Sequence, residues 1–142
     1  MKIIIFPIIF GGQTPPVFSE SDRKEEWIYM PQTIHTLLIQ YLSEIQKIYG
    51  AHLKSVILYG SYARGDYTPD SDIDIMILVD LSVEEMDAYS DALSELGFKY
   101  NVQHDIWMMP VVKNQQHFYH WAASYPFYSN VQKEGVVLYE AA

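Results

Sequence analysis

The chain has 142 residues, 49% of them apolar and 19% charged, which favours one folded domain with a real core over disorder. It contains no cysteine, which excludes disulfides, thiolate zinc sites and cysteine nucleophiles. Its formal net charge of −9 argues against a basic face for duplex nucleic acid or an anionic membrane, although metal ions can still bridge acidic residues to nucleotide phosphates.

Residues 1–29 show no periodic pattern and are expected to form an N-terminal extension outside the folded domain. Residues 3–10 are an apolar run that Pro7 interrupts, and this run is too short to span a bilayer. No small-residue cleavage site follows it, which disfavours a signal peptide. We therefore predict either translated upstream sequence, with the biological start at Met30, or a mobile arm. The domain is predicted over residues 30–142.

Helical and strand patterns alternate from Pro31 onward. Apolar residues at i, i+3, i+4 and i+7 predict a first amphipathic helix that ends at Gly50. Gly97 is expected to end a later helix, and Pro110 is expected to end a strand. The predicted elements are a helix over 31–49, strands over 55–59 and 72–79, a helix over 82–96, a strand over 102–109, helices over 114–124 and 128–133, and a strand over 135–140. This order predicts an α+β fold, a small mixed β-sheet with helices packed on it.

Asp72 and Asp74 stand two positions apart at the start of a predicted strand. Because side chains alternate along a strand, both carboxylates lie on one face and Ile73 lies on the other. Two adjacent carboxylates repel each other unless a cation lies between them, and a hard ion such as Mg²⁺ prefers oxygen ligands. Acidic turns before strands are common, so this pair alone is weak evidence for a metal site.

Gly60 and Ser61 lie where the preceding strand ends and the chain must turn sharply. Glycine lets the backbone approach a bulky anion, and the serine hydroxyl adds a donor, so this turn predicts phosphate binding. A short helix beginning at Ala63 would direct its N-terminus to the same place. A plain strand-ending turn with a serine cap is the alternative. The spacing of Gly60 and Gly65 resembles half of a P-loop, but Asp66 stands where a P-loop needs lysine, which excludes that interpretation.

Together these motifs resemble the DNA polymerase β-like nucleotidyltransferase superfamily. Ten residues separate Ser61 from Asp72, the first of the two aspartates. The segment that begins at Gly60 and the segment that ends at Asp74 closely resemble those of the superfamily's minimal nucleotidyltransferase branch. Residues 134–140 also resemble the usual ending of that branch. The resemblance covers most of the chain after the N-terminal extension and implies the nucleotidyltransferase fold.

The resemblance implies transfer of AMP from ATP to an acceptor hydroxyl, with release of pyrophosphate. It assigns two Mg²⁺ ions to Asp72 and Asp74, and the β- and γ-phosphates to Gly60 and Ser61. It also implies a third carboxylate on a later strand. Asp105, on the predicted strand over 102–109, is the candidate that would complete the shell of the second metal and take the acceptor proton. An exposed aspartate near a strand start is the alternative.

Arg64 is predicted to contact a phosphate or the acceptor, and a salt bridge to Asp66 or Asp70 is equally well supported. His117 and His120 have the i, i+3 spacing of two metal ligands on a helix. The sequence offers no third ligand for them, which disfavours a zinc site.

Minimal nucleotidyltransferases of this branch are typically paired with a HEPN-domain protein, and such a pair resembles a toxin–antitoxin module. The resemblance therefore implies a cytoplasmic antitoxin that attaches AMP to a tyrosine of a HEPN RNase toxin, with ATP as substrate and Mg²⁺ as cofactor. The aromatic-rich stretch over 118–128 predicts core residues and a protein interface, in a homo- or hetero-oligomer. Neither DNA nor a membrane is expected as a partner. Two alternatives stay open: transfer to a small hydroxylated molecule, and stoichiometric toxin binding without catalysis.

Overall fold

The computed structural model describes residues 30–141 in full and residues 2–3 by their backbone. The two-residue strand β1, Lys2–Ile3, pairs in parallel with residues 136 and 137. Residues 4–29, and with them most of the predicted N-terminal extension, lie outside the described part of the chain. The boundary between residues 29 and 30 therefore stays a prediction.

Strands and helices alternate along the described chain. The strands that follow β1 are β2 (Leu53–Tyr59), β3 (Ile73–Val79), β4 (Met108–Asn114) and β5 (Val136–Glu140). The helices are α1 (Gln32–Tyr49), α2 (Ser61–Arg64), α3 (Val83–Met86), α4 (Ser90–His104), α5 (Gln115–Trp121) and α6 (Pro126–Glu134). Single 3₁₀ turns, Gly50–His52 and Asp87–Tyr89, follow α1 and α3. This arrangement confirms the predicted α+β fold.

The strands form one mixed sheet in the order β1-β5-β2-β3-β4. Strand β3 runs antiparallel to β2 and parallel to β4. In this register Asp74 lies opposite Tyr59 on one side and Met109 on the other. The end of β2 and the start of β3 therefore lie side by side at the same end of the sheet.

Alternation along β3 divides the core into two clusters. Ile73, Ile75 and Ile77 pack on one face against apolar residues of α1 and α4. Met76 and Leu78 pack on the opposite face against residues of α5 and α6. Because side chains alternate with a period of two, the residue two positions before Met76 points to this second face. That residue is Asp74, and the second face is therefore the one that carries the predicted site.

The predicted end of a helix at Gly97 is wrong. Helix α4 continues through Gly97 to His104, and it buries Leu93, Leu96 and Tyr100 along one stripe. Glycine in a helix costs about 1 kcal/mol relative to alanine, and this buried stripe outweighs that cost. The strand predicted over 102–109 consequently starts only at Met108.

Pro110 lies inside β4, whereas the sequence predicted that it ends a strand. Among the described strands, β4 is an outer strand that pairs only with β3. The N–H of Ile73 donates to the Trp107 carbonyl at 2.9 Å. Because parallel ladders use alternate residues, this bond turns the nitrogen of Pro110 away from β3. Proline therefore removes no bond between the two strands.

Two helix starts follow their capping residues. The Ser82 hydroxyl accepts from the Glu85 N–H, and the Glu85 carboxylate accepts from the Ser82 N–H, so the two residues form a capping box. Pro126 starts α6, because proline suits the first turn of a helix. None of the helices formed by the described residues is both long and apolar enough to cross a membrane.

Candidate active site

The predicted phosphate turn follows the C-terminal end of β2, and the predicted carboxylates lie at the N-terminal end of the neighbouring strand β3. Gly60 follows β2 directly, Asp72 immediately precedes β3, and Asp74 is the second residue of β3. Helix α2 starts at Ser61, two residues earlier than the sequence predicted. The pairing of Tyr59 with Asp74 brings the turn against the carboxylate, as the motif spacing suggested.

Gly60 is required by two separate features of this turn. Its φ of 74° lies in the left-handed region that residues with a side chain rarely adopt. A Cβ placed on Gly60 would also collide with the carboxylate of Asp74. The Gly60 carbonyl accepts from the N–H groups of Ala63 and Arg64 at 3.1 and 3.0 Å, which closes the first turn of α2.

The two carboxylates influence each other. Burial raises the pKa of the half-buried Asp74, the neighbouring charge of Asp72 raises it further, and the Arg64 guanidinium partly opposes both effects. A cation between the two aspartates would relieve this repulsion. Mg²⁺ is usually held by one or two carboxylates together with substrate phosphates, so Asp72 and Asp74 fit this ion.

A pocket of about 430 Å³ opens beside Asp74 and brings several of the predicted site residues together. One wall contains Tyr59, Gly60, Ser61, Arg64 and Asp74. The opposite wall is a face of α6 that contributes Phe127, Asn130, Val131 and Glu134. Sequence reasoning did not assign these α6 residues to the site. The only signal for them was the family-like ending of the chain, which begins at Glu134.

Arg64 lies at the rim of the pocket, where it makes two ion pairs. Its Nε lies 3.3 Å from Asp66 Oδ2, and its Nη1 lies 3.3 Å from Glu134 Oε2. Hydrogen bonds to these two carboxylates raise the pKa of Arg64. The salt bridge to Asp66 that the sequence left open is therefore present, and Arg64 also faces the pocket.

Asp105 does not lie on a strand, contrary to the sequence-based prediction. It is the exposed C-cap of α4, in the left-handed conformation with φ 52°, because α4 continues past Gly97. The residue of β4 opposite Asp74 is Met109. Within residues 30–141, no three histidines or acids lie close enough together to form a metal site. The predicted role of Asp105 stays a prediction.

Aromatic side chains of α5, α6 and the loop between them lie on the same side of the sheet as the pocket. Phe118 and Tyr128 belong to the core. Four others are 37–44% exposed, namely Tyr119, Trp121, Tyr125 and Phe127. Trp121 stacks on Tyr125 with ring centres 5.2 Å apart. His117 contacts Tyr128, and His120 contacts Trp121.

A mixed sheet in which a glycine–serine turn lies against Asp74, with Asp72 two positions before it, is the arrangement of a nucleotidyltransferase domain. Residues 38–137 match the nucleotidyltransferase domain family, and the chain belongs to this family. The match covers β2, β3, β4 and every site residue that the sequence predicted.

Two relatives come from Methanocaldococcus jannaschii. The chain is 34% identical over 100 residues to a candidate protein adenylyltransferase, MJ0604, with 70% of this chain and 92% of the relative covered. It is 33% identical over 78 residues to a second one, MJ0141, with 54% and 75% covered.

Two solved structures are also similar in part. One is a toxin–antitoxin crystal structure with AMP-PNP, at a TM-score of 0.45 and 23% identity, covering 69% of this chain and 72% of that one. The other is a mutant of the toxin–antitoxin MntA–HpeT, at a TM-score of 0.44 and 18% identity, covering 72% and 73%.

Proposed function

We propose that this chain is a protein adenylyltransferase that transfers AMP from ATP to a hydroxyl of a partner protein. The observation that carries the proposal is the pocket in which Gly60, Ser61, Arg64 and Asp74 meet. The resemblance to MJ0604 over 92% of that protein's length supports a protein as the acceptor.

The residues in and beside the pocket can be assigned to the phosphates, to the metal ions and to the acceptor hydroxyl. The Gly60 turn and the Ser61 hydroxyl would bind the β- and γ-phosphates. Asp72 and Asp74 would hold two Mg²⁺ ions, which when bound supply positive charge to the phosphates and lower the pKa of the acceptor hydroxyl. Arg64 would contact a phosphate once it is released from Glu134.

The transfer balances as a substitution at the α-phosphorus. The acceptor oxygen forms a bond to this phosphorus, the bond to the bridging oxygen of the β-phosphate breaks, and pyrophosphate leaves with the electron pair. The acceptor hydroxyl loses its proton, and Asp105 is our candidate to take it. The Ile73 N–H donates to the Trp107 carbonyl. This hydrogen bond holds the segment that follows Asp105 against the start of β3, next to Asp72.

We propose that the acceptor is a tyrosine of a HEPN RNase toxin and that its modification silences the toxin. The exposed rings of Trp121, Tyr125 and Phe127 support a protein partner, because tyrosine, tryptophan and phenylalanine are enriched in interfaces. Phe127 also lines the pocket, so a partner seated on the neighbouring Trp121 and Tyr125 would bring its hydroxyl close to the nucleotide.

The test is intact-mass spectrometry of the neighbouring-gene partner after incubation with this chain, ATP and Mg²⁺. A gain of one or more AMP units that the double variant Asp72→Asn/Asp74→Asn does not produce is the expected result. No gain, with the partner still bound and inhibited, would replace the proposal with a stoichiometric antitoxin. No gain and no binding would favour a small hydroxylated molecule as acceptor.

A further inference from the structure

We propose that Phe127 and Asn130 of α6 form a nucleobase subsite that selects adenine over guanine. This inference rests on the proposed function, because it presumes that the pocket beside Asp74 holds a nucleotide. Neither residue belongs to the glycine–serine and aspartate motifs, which concern only phosphates and metal.

The pocket has chemically different ends along α6. Phe127, Asn130, Val131 and Glu134 stand at i, i+3, i+4 and i+7, so one stripe of this helix faces the pocket. The Glu134 end lies beside Arg64, at 3.3 Å. The Phe127 end lies beside Tyr59, with ring centres 5.6 Å apart. At 1.5 Å per residue these ends are about 10 Å apart, which is enough to separate a base from its phosphates.

Phe127 offers a surface on which a base can stack. The residue is 44% exposed, and its ring meets the rings of Tyr59 and Tyr128 at 75° and 47°, so neither neighbour stacks flat on it. Stacking on an aromatic ring tolerates any base. Phe127 is therefore expected to strengthen nucleotide binding without choosing between purines.

Asn130 offers the polar group that can make this choice. Its side chain is exposed, lines the pocket and makes no hydrogen bond within residues 30–141. An amide presents one acceptor oxygen beside a donor nitrogen. On the edge that carries N7, adenine presents an acceptor and an amino donor, whereas guanine presents two acceptors. The amide of Asn130 matches adenine there and leaves its oxygen facing an acceptor in guanine.

The experiment measures equilibrium binding of ATP, GTP and inorganic tripolyphosphate to the full chain with Mg²⁺. Asn130→Leu is compared with Gln132→Leu, an exposed amide on α6 outside the pocket lining. We expect Asn130→Leu to weaken ATP binding roughly 10-fold, to leave tripolyphosphate binding unchanged and to bring the ATP/GTP preference close to one. Phe127→Leu should weaken the binding of both ATP and GTP roughly 10-fold and leave tripolyphosphate binding unchanged. Gln132→Leu should behave as the wild type.

Several outcomes would overturn the inference. The wild type could bind ATP and GTP equally, Asn130→Leu could keep the wild-type preference, or tripolyphosphate binding could weaken in parallel with ATP binding. In each of these cases the pocket would still bind a nucleotide or its phosphates, so the proposed function would survive. A wild type that is folded by circular dichroism but binds none of the three probes would overturn the proposed function together with the subsite.

Discussion

The guanidinium of Arg64 lies 3.3 Å from the carboxylate of Glu134, although the two residues are 70 positions apart in the chain. This ion pair ties α2, next to the phosphate turn, to the last residue of α6. It therefore holds a carboxylate against the arginine that we propose contacts a phosphate, and a bound phosphate would have to replace that carboxylate. Asp66 occupies the opposite side of the same guanidinium.

Replacing Glu134 should make the pocket more receptive to nucleotide. In Glu134→Gln, Arg64 loses one competing carboxylate and the pocket loses a charge that repels phosphate. We expect the Kd for ATP with Mg²⁺ to fall about threefold, an effect the size of an exposed ion pair that added salt should reduce. Glu84→Gln, on the exposed side of α3, is the matched control. Weaker binding in Glu134→Gln would instead show that Glu134 holds Arg64 in its binding position.

The carboxylates should differ in how strongly they affect the rate. Asp74→Asn should lower kcat by about 10³-fold or more, because metal ligands contribute several kcal/mol to transition-state stabilisation. Asp105→Asn should lower kcat about 10²-fold with little change in KM, as expected for a group that accepts a proton. Asp91→Asn, an exposed aspartate at the other end of α4, is the control in the same transfer assay. A loss below threefold in Asp105→Asn would leave a site with two carboxylates.

A comparison of Gly50 with Gly60 separates two effects of adding a side chain at Gly60: the collision with Asp74 and the strain of a positive φ. Gly50 has φ 56° and open space around its Cβ position, whereas Gly60 has φ 74° and faces Asp74. Gly50→Ala should therefore cost roughly 1 kcal/mol of unfolding free energy and leave activity unchanged. Gly60→Ala should cost more and abolish transfer, because Asp74 is displaced. Urea unfolding and the transfer assay check both; equal effects in the two variants would contradict the collision.

A buried histidine should make the protein sensitive to acid. Burial lowers the pKa of His35 to about 4, so the folded state favours neutral imidazole, whereas an unfolded chain takes up the proton near its ordinary pKa of about 6.5. Its contribution is complete above about pH 6.5 and is lost as the pH falls toward 4, by on the order of 3 kcal/mol. Urea unfolding at pH 7.5 and 4.5 should show a smaller difference in His35→Leu than in the wild type. An unchanged difference would remove His35 as a cause.

The sequence predicted the parts of the site that lie close together in the chain. Gly60, Ser61, Asp72 and Asp74 lie between the end of β2 and the second residue of β3, so a short stretch of chain brings Gly60, Ser61 and Asp74 to one pocket. Glu134 could not be placed in the same way, because its contact with Arg64 depends on how α6 packs on the sheet. No local pattern contains that packing.

The error at Asp105 has a local origin. Glycine is common at the C-terminal ends of helices, and the apolar residues after Gly97 alternate as they do in a strand. The buried contacts of Leu96 and Tyr100 instead carry the helix on to His104. This longer helix moves the strand start to Met108 and leaves Asp105 as a cap.

The position of Pro110 has a consequence for the protein in a crowded solution. Within residues 30–141, no strand pairs with the side of β4 that faces away from β3, and the apolar residues Trp107 and Met109 near it are 58% and 45% exposed. A flat apolar strand with free amide groups is a template on which other chains can add strands and aggregate. At Pro110 the template lacks a donor, so an incoming strand would lose a hydrogen bond in the middle of the pairing. The same residue that leaves the ladder to β3 intact thus protects the sheet against growth by edge-to-edge association.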